Sequence, residues 1–264
     1  MILSFEVQDA MKKTLYHSQG EDEVNLVCNR EYKVGDCILF KSSEKNVHIW
    51  LQFDDAKGRS LVYIKDYITM YPIPFGEERN NISPKAFHGD LHLLSAKAAK
   101  DYEIKAYRNL CLNVNDQNSS NITCYPHASA NVETRGEVVF AARNVIDGVN
   151  VNNSHGGWPY QSWGINQRED ALLKIDFGRK VHVDRIVLYT RADFPHDNWW
   201  EKATFSFSDG SQMEVKMNKS SLPHEFTFEW KEIEWLELSH LIKSPEDSPF
   251  PALSQIEVYG KEVI

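Results

Sequence analysis

The sequence predicts an all-β protein made of two β-sandwich (jelly-roll) domains. Three observations carry this. Ordered apolar residues alternate with polar ones: Val47, Ile49, Leu51 and Phe53 share one face, while His48 and Gln52 take the other. Turn signals recur about every 8–12 residues, the spacing of sandwiches. Apolar residues otherwise fall in short runs, which suits strands better than long helices.

The elements follow in order. Residues 23–28 and 36–40 read as strands joined through Lys33-Val34-Gly35. Residues 47–53 form the alternating strand above, whose second face is partly covered at Trp50. Residues 60–65 form another, entered by Lys57-Gly58-Arg59. Tyr71-Pro72-Ile73-Pro74 belongs at an edge, because two prolines remove ladder donors. Residues 76–90 form a polar loop. Residues 92–99 close the first half as a strand, with a helix over 95–100 as the alternative. The domain boundary falls near 100–106, dividing the chain into 1–104 and 105–264.

A strand over 103–113 opens the second half. Residues 137–147 hold a short helix or turn. Residues 172–177 alternate, with Leu173, Ile175 and Phe177 on one face, and 183–191 form a buried strand. Residues 204–208 and 213–217 flank Ser208-Asp209-Gly210-Ser211, a hairpin turn whose Asp-Gly pair tolerates positive φ. Strands over 225–230, 233–238 and 256–259 complete the set.

The chain has 264 residues, a formal net charge of -9 and a pI near 5.6. An acidic surface repels phosphate backbones and anionic lipid, so neither nucleic acid nor membrane is an expected partner. The start has no basic region and meets acids at Glu6 and Asp9, so no signal peptide is visible and a cytoplasmic protein is expected. Cys28, Cys37, Cys111 and Cys124 form no CxxC pair, so reduced thiols are the default. Bridges Cys28–Cys37 and Cys111–Cys124 are the alternative. HExxH, GxSxG and phosphate-loop sequences are absent, and no catalytic residue is assigned.

Three loops of the second half carry the candidate site. Residues 150–170 hold His155, Trp158, Tyr160, Trp163 and Arg168; residues 191–201 hold Arg191, Asp193, His196, Asp197, Trp199 and Trp200. Residues 244–252 add Asp247, Pro249 and Phe250. Sugar recognition needs an aromatic face for the C–H side of a pyranose and fixed polar groups for its hydroxyls. His155, Arg191, Asp193, His196 and Asp197 fit the second need, and Trp158, Trp199 or Trp200 the first. Trp163 reads as a core plug. Adjacent Trp199 and Trp200 point opposite ways on an extended chain, so one of them is expected to be exposed.

Six segments of the second half fit one family in order. They are Ala142-Arg143-Asn144-Val145-Ile146-Asp147-Gly148, Trp163, Leu173-Lys174-Ile175-Asp176-Phe177-Gly178, residues 185–191, Phe205-Ser206-Phe207-Ser208-Asp209-Gly210-Ser211 and Gln255-Ile256-Glu257-Val258-Tyr259-Gly260. Together they resemble the discoidin-like (coagulation-factor C-type) domain of the galactose-binding-like jelly-roll superfamily. The resemblance implies a jelly roll with ligands in its end loops, among carbohydrate, lipid and protein binders. It also implies a structural calcium near Asn144 and Asp147. Two departures stand out: no cysteines are placed for a closing disulfide, and residues 194–200 are bulkier than the family's loop. The segments Gly35-Asp36-Cys37-Ile38-Leu39-Phe40 and 61–74 resemble small jelly rolls found beside sugar-binding domains.

The expected function is therefore non-catalytic carbohydrate binding. A protein-interaction module, with a protein partner or a second copy of the chain, stays open as an alternative. So does a carbohydrate-processing enzyme with a site in an interdomain groove.

Overall fold

A computed structural model describes residues 1–118, 122–154, 156–193 and 198–263. The first sandwich has eight strands of its own. They are β1 (Ile2–Gln8), β2 (Thr14–Glu21), β3 (Glu23–Cys28), β4 (Cys37–Ser42), β5 (Val47–Gln52), β6 (Ser60–Ile64), β7 (Ile68–Pro72) and β8 (His92–Ala98). One sheet runs β2-β1-β4-β7 and the other β6-β5-β8-β3. Leu3, Phe5 and Val7 of β1 and Ile49 and Leu51 of β5 meet between them, all fully buried. The expected edge at the prolines holds, for β7 pairs with β4 on one side only. Residues 92–98 are a strand and not a helix, because Leu94, Ala96 and Ala98 alternate inward. Lys33-Val34-Gly35 lies in the connection from β3 to β4, as expected, and carries the chain from one sheet to the other. The first two strands are additional; β2 is largely polar and carries no apolar pattern.

Helix α1 (Asp101–Ile104) follows, then β9 (Arg108–Asn109). The strand expected over 103–113 shrinks to those two residues. Side-chain amides do there what a ladder would have done: Asn109 Oδ1 accepts from the backbone N–H of Cys111 at 2.9 Å and of Val258 at 3.1 Å. The chain then returns to the first sandwich, where β10 (Cys124–Tyr125) pairs with β6 and Asn115 Nδ2 donates to Leu51 O at 2.9 Å.

The second sandwich is one long sheet folded over itself. Its strands are β11 (His127–Ala130), β12 (Trp163–Gly164), β13 (Leu173–Thr190), β14 (Trp200–Phe207), β15 (Gln212–Lys216), β16 (His224–Lys243) and β17 (Ala252–Glu262). The strands expected over 172–177 and 183–191 are one, β13; those over 225–230 and 233–238 are one, β16. Both turn a corner at a bulge, where the pairing jumps from Asp176↔Trp235 to Val181↔Ile233. Gly178 sits in that bulge at φ +69, with its Cα against the Tyr125 ring. Before the corner β13 lies between β11 and β16; after it, between β17 and β16. The hairpin at Asp209-Gly210 forms as expected, with Phe205↔Met213 paired and Gly210 at φ +84. Short 3-10 turns fill Val138–Phe140 and Ala142–Ile146. Trp163 is the core plug, fully buried, with Nε1 donating to Val132 O at 2.9 Å.

An ion cluster joins the sandwiches. Glu262, 3% exposed at its side chain, accepts from Arg108 at 2.7 Å and from both nitrogens of the Arg179 fork, and His48 of β5 stands 3.3 Å away. The four cysteines are free thiols. Among the described residues no helix is long and apolar enough to cross a membrane.

Candidate functional site

Arg191 follows the end of β13 and is 1% exposed. Its backbone N–H donates to Ala252 O at 2.8 Å, and Nη1 donates to Tyr160 O at 2.6 Å. The first and second candidate loops therefore meet here. Nε and Nη2 donate to no described residue. Burial pushes the guanidinium's pKa below its usual value, and Asp193 opposes that. A buried guanidinium with two idle donors is costly unless something else accepts from it.

Asp193 supplies an acceptor beside it. Its Oδ1 stands 3.6 Å from Arg191 Nε and accepts no hydrogen bond from a described residue. Its Oδ2 takes the Nδ2 hydrogen of Asn152 at 2.6 Å. Arg191 and Asp193 line a hollow of ≈ 350 Å³ with Asn150, Asn152, Tyr189 and Leu222. That volume sits at the lower end of the roughly 300–1,000 Å³ usual for small-molecule sites. Burial raises the pKa of the Tyr189 hydroxyl. Thr190 Oγ1 donates to Ser220 O at 2.9 Å, which holds the turn carrying Leu222 over the hollow. Leu222 is 71% exposed and offers an apolar wall.

The other expected residues go elsewhere. His155, His196 and Asp197 lie outside the described residues. Trp158 lines a separate crevice of ≈ 60 Å³ between the sandwiches, with Lys57, Asn81, Asp147 and Gln161. Trp199 is half-buried, packs on the core and carries the Lys219 ammonium 5.7 Å from its ring centre. Trp200 is fully buried against Trp163, ring centres 6.3 Å apart, so it presents no face for stacking. The opposed orientation expected of these neighbours is the reason. The third loop joins the second through Asn198, whose Nδ2 donates to Glu246 O at 2.9 Å and Ser248 O at 2.6 Å. Sequence reasoning passed over Tyr189, which reads as a buried-strand residue, and Leu222, which reads as an ordinary turn. The run Val149–Asn153 is the one signal that could have pointed to Asn150 and Asn152.

Asn144 and Asp147 are hydrogen-bond anchors. Asn144, fully buried, donates to Val138 O and Ser162 O, and its Oδ1 accepts from Asn81 of the first sandwich at 2.8 Å. Asp147 accepts from Val149 N at 2.8 Å and Gln161 Nε2 at 3.0 Å; burial raises its pKa to about 6. Each of the three side-chain oxygens accepts one N–H, and the Asp147 carboxylate keeps further lone pairs for the calcium ion that the resemblance implies. Among the described residues, no cluster of three or more His, Cys, Asp or Glu is arranged to hold a metal.

Residues 121–259 match the model of a family described as "Domain of unknown function (DUF7402)". No curated protein sequence matches the chain. Similar solved structures include chitosan-binding module 1 from the chitosanase/glucanase of Paenibacillus sp. IK-5, at 18% identity, 58% of this chain, 98% of the module and a TM-score of 0.40. The family 32 carbohydrate-binding module of C. perfringens NanJ, in complex with galactose, gives 18% identity, 50% and 91% coverage and 0.39. A Streptococcus pneumoniae fucose binding module gives 12%, 59% and 96%, and 0.42.

Proposed function

The chain belongs to the DUF7402 family, and we propose that it is a non-catalytic carbohydrate-binding protein whose second sandwich takes a sugar in the Arg191 hollow. One observation carries this reading: the ion pair of buried Arg191 with Asp193, 3.6 Å apart, in the wall of a ≈ 350 Å³ hollow. Donor and acceptor side by side match adjacent sugar hydroxyls, one accepting from Arg191 and the next donating to Asp193. Tyr189 and Leu222 supply surface for the C–H face of the ring. The similar modules named above are a chitosan-binding module, a module in complex with galactose and a fucose binding module. For this chain the hollow itself supports the reading.

The Trp158 crevice between the sandwiches, ≈ 60 Å³, has room for only a few waters at about 10–15 Å³ each and is too small for a sugar ring.

Calorimetric titration with neutral monosaccharides tests the proposal. Arg191→Ala is expected to weaken binding by about 1.5–3 kcal/mol, the range for a hydrogen bond to a charged group. Asp193→Ala should weaken it by a similar or smaller amount and also lower thermal stability, because buried Arg191 loses its counter-charge. Unchanged affinity in both folded variants removes the sugar from this hollow.

A further inference from the structure

We propose that the ligand is a chain of linked sugar rings, held along an aromatic track that leaves the Arg191 hollow and crosses the outer face of the second sandwich. This rests on the carbohydrate reading of the hollow. The track follows from strand parity. On β13, Ile186 and Leu188 face the core, and on β17 so do Ile256 and Val258, all fully buried. Of their neighbours, Tyr189, Glu257 and Tyr259 are partly exposed, while Val187 and Gln255 are covered. Register pairs Arg185 with Tyr259, Val187 with Glu257 and Tyr189 with Gln255. Tyr189, a wall of the hollow, is therefore two residue rows from Tyr259 on the same face.

The aromatic surface continues from there. Tyr107 precedes β9 and lies across the sheet, stacked on Tyr259 with ring centres 6.0 Å apart. Its other side meets Trp230 edge-on at 6.2 Å. Tyr107 Oη donates to Asp184 at 2.8 Å and Tyr259 Oη to Glu257 at 3.0 Å. These bonds fix the ring planes without covering them. Trp230 stays 53% exposed and Tyr107 41%.

The chemistry around the rings selects the occupant. Asp184, Glu257 and the Arg185–Glu225 pair at 3.0 Å interleave with the aromatics. Charged groups are depleted at the centres of protein interfaces, whereas rings with hydroxyl-bonding groups between them suit pyranoses. The carboxylates disfavour a polyanion, so the occupant is a neutral glycan chain. Continuity with the hollow gives its direction, one ring at Arg191 and later rings on Tyr107, which Tyr259 supports, and Trp230.

The test is a calorimetric length series on the full chain. Galactose, glucose and N-acetylglucosamine are titrated, then their β-1,4-linked dimers through pentamers. For the sugar that binds, affinity is expected to rise roughly tenfold or more along the series. Trp230→Ala should remove that rise and leave monosaccharide affinity unchanged, since Trp230 is outside the hollow. Trp230→Gln and Tyr259→Ala serve as second variants, each checked by thermal melting. Equal affinity for monomer and pentamer overturns the track while leaving the hollow intact, as does a length gain that survives all three variants. Binding that ignores Arg191→Ala overturns the hollow. A wild type that binds none of these sugars overturns both.

Discussion

Replacing Glu262 with alanine is expected to lower the free energy of unfolding by about 3–5 kcal/mol, the range for removing one partner of a buried ion pair. The side chain is 3% exposed and faces Arg108, Arg179 and His48, which would be left without their acceptor. Burial alone would raise the Glu262 pKa. His48 and the Arg179 fork outweigh it and hold the carboxyl well below its ordinary 4.5. The sign follows. A depressed carboxyl stabilises the fold fully above its unfolded value and loses that contribution as pH falls toward the folded one. Wild type should therefore lose more stability than Glu262→Ala as pH drops below about 4.5. Urea unfolding at neutral and acid pH measures both effects. Because His48 comes from β5 and Glu262 from β17, the same variant should loosen the joint between the sandwiches. Parallel pH curves for the two proteins would remove the ion cluster from the account.

Trp200→Ala is the second large effect, a loss of about 3–5 kcal/mol from the core. The indole is fully buried beside Trp163, within the core of the second sandwich. Its role is structural although it sits in a loop-like sequence beside Trp199. Trp199→Ala, at a half-buried ring, should cost less. Equilibrium unfolding of the two variants separates them, and a small effect at Trp200 would mean the indole is not where the core needs it.

Much of the fold is legible in the chain, and what is not has physical causes. The alternation of Ile49 and Leu51 marks β5, and Asp209-Gly210 marks the β14–β15 hairpin, because side-chain period and positive φ are local properties. Leu3, Phe5 and Val7 alternate just as well, yet β2 beside them carries Tyr16, His17 and Gln19 and is recognisable only through its pairing. The corners of β13 and β16 read as strand breaks, since a bulge interrupts the period without ending the strand. The segment after α1 reads as a strand, but asparagine side chains satisfy its backbone.

The site divides in the same way. Arg191 and Asp193 are legible because a cation and an anion flank a strand end. Their surroundings are not: Asn150 and Asn152 come from another loop, and Leu222 from a turn between β15 and β16. Trp158 was drawn to the site by loop membership. The loop's contribution to Arg191 is instead the carbonyl of Tyr160, two residues on, and the indole faces the other crevice. Backbone acceptors of this kind leave no trace in residue type.

The most direct test of the central claim is nuclear magnetic resonance mapping of the wild-type chain with a saturating neutral sugar. The account predicts that the Arg191 Nε–H signal and the Asn152 side-chain amide shift, while the Trp200 indole signal stays in place. Shifts confined to the Trp158 crevice or to the first sandwich, with Arg191 unmoved, would contradict it.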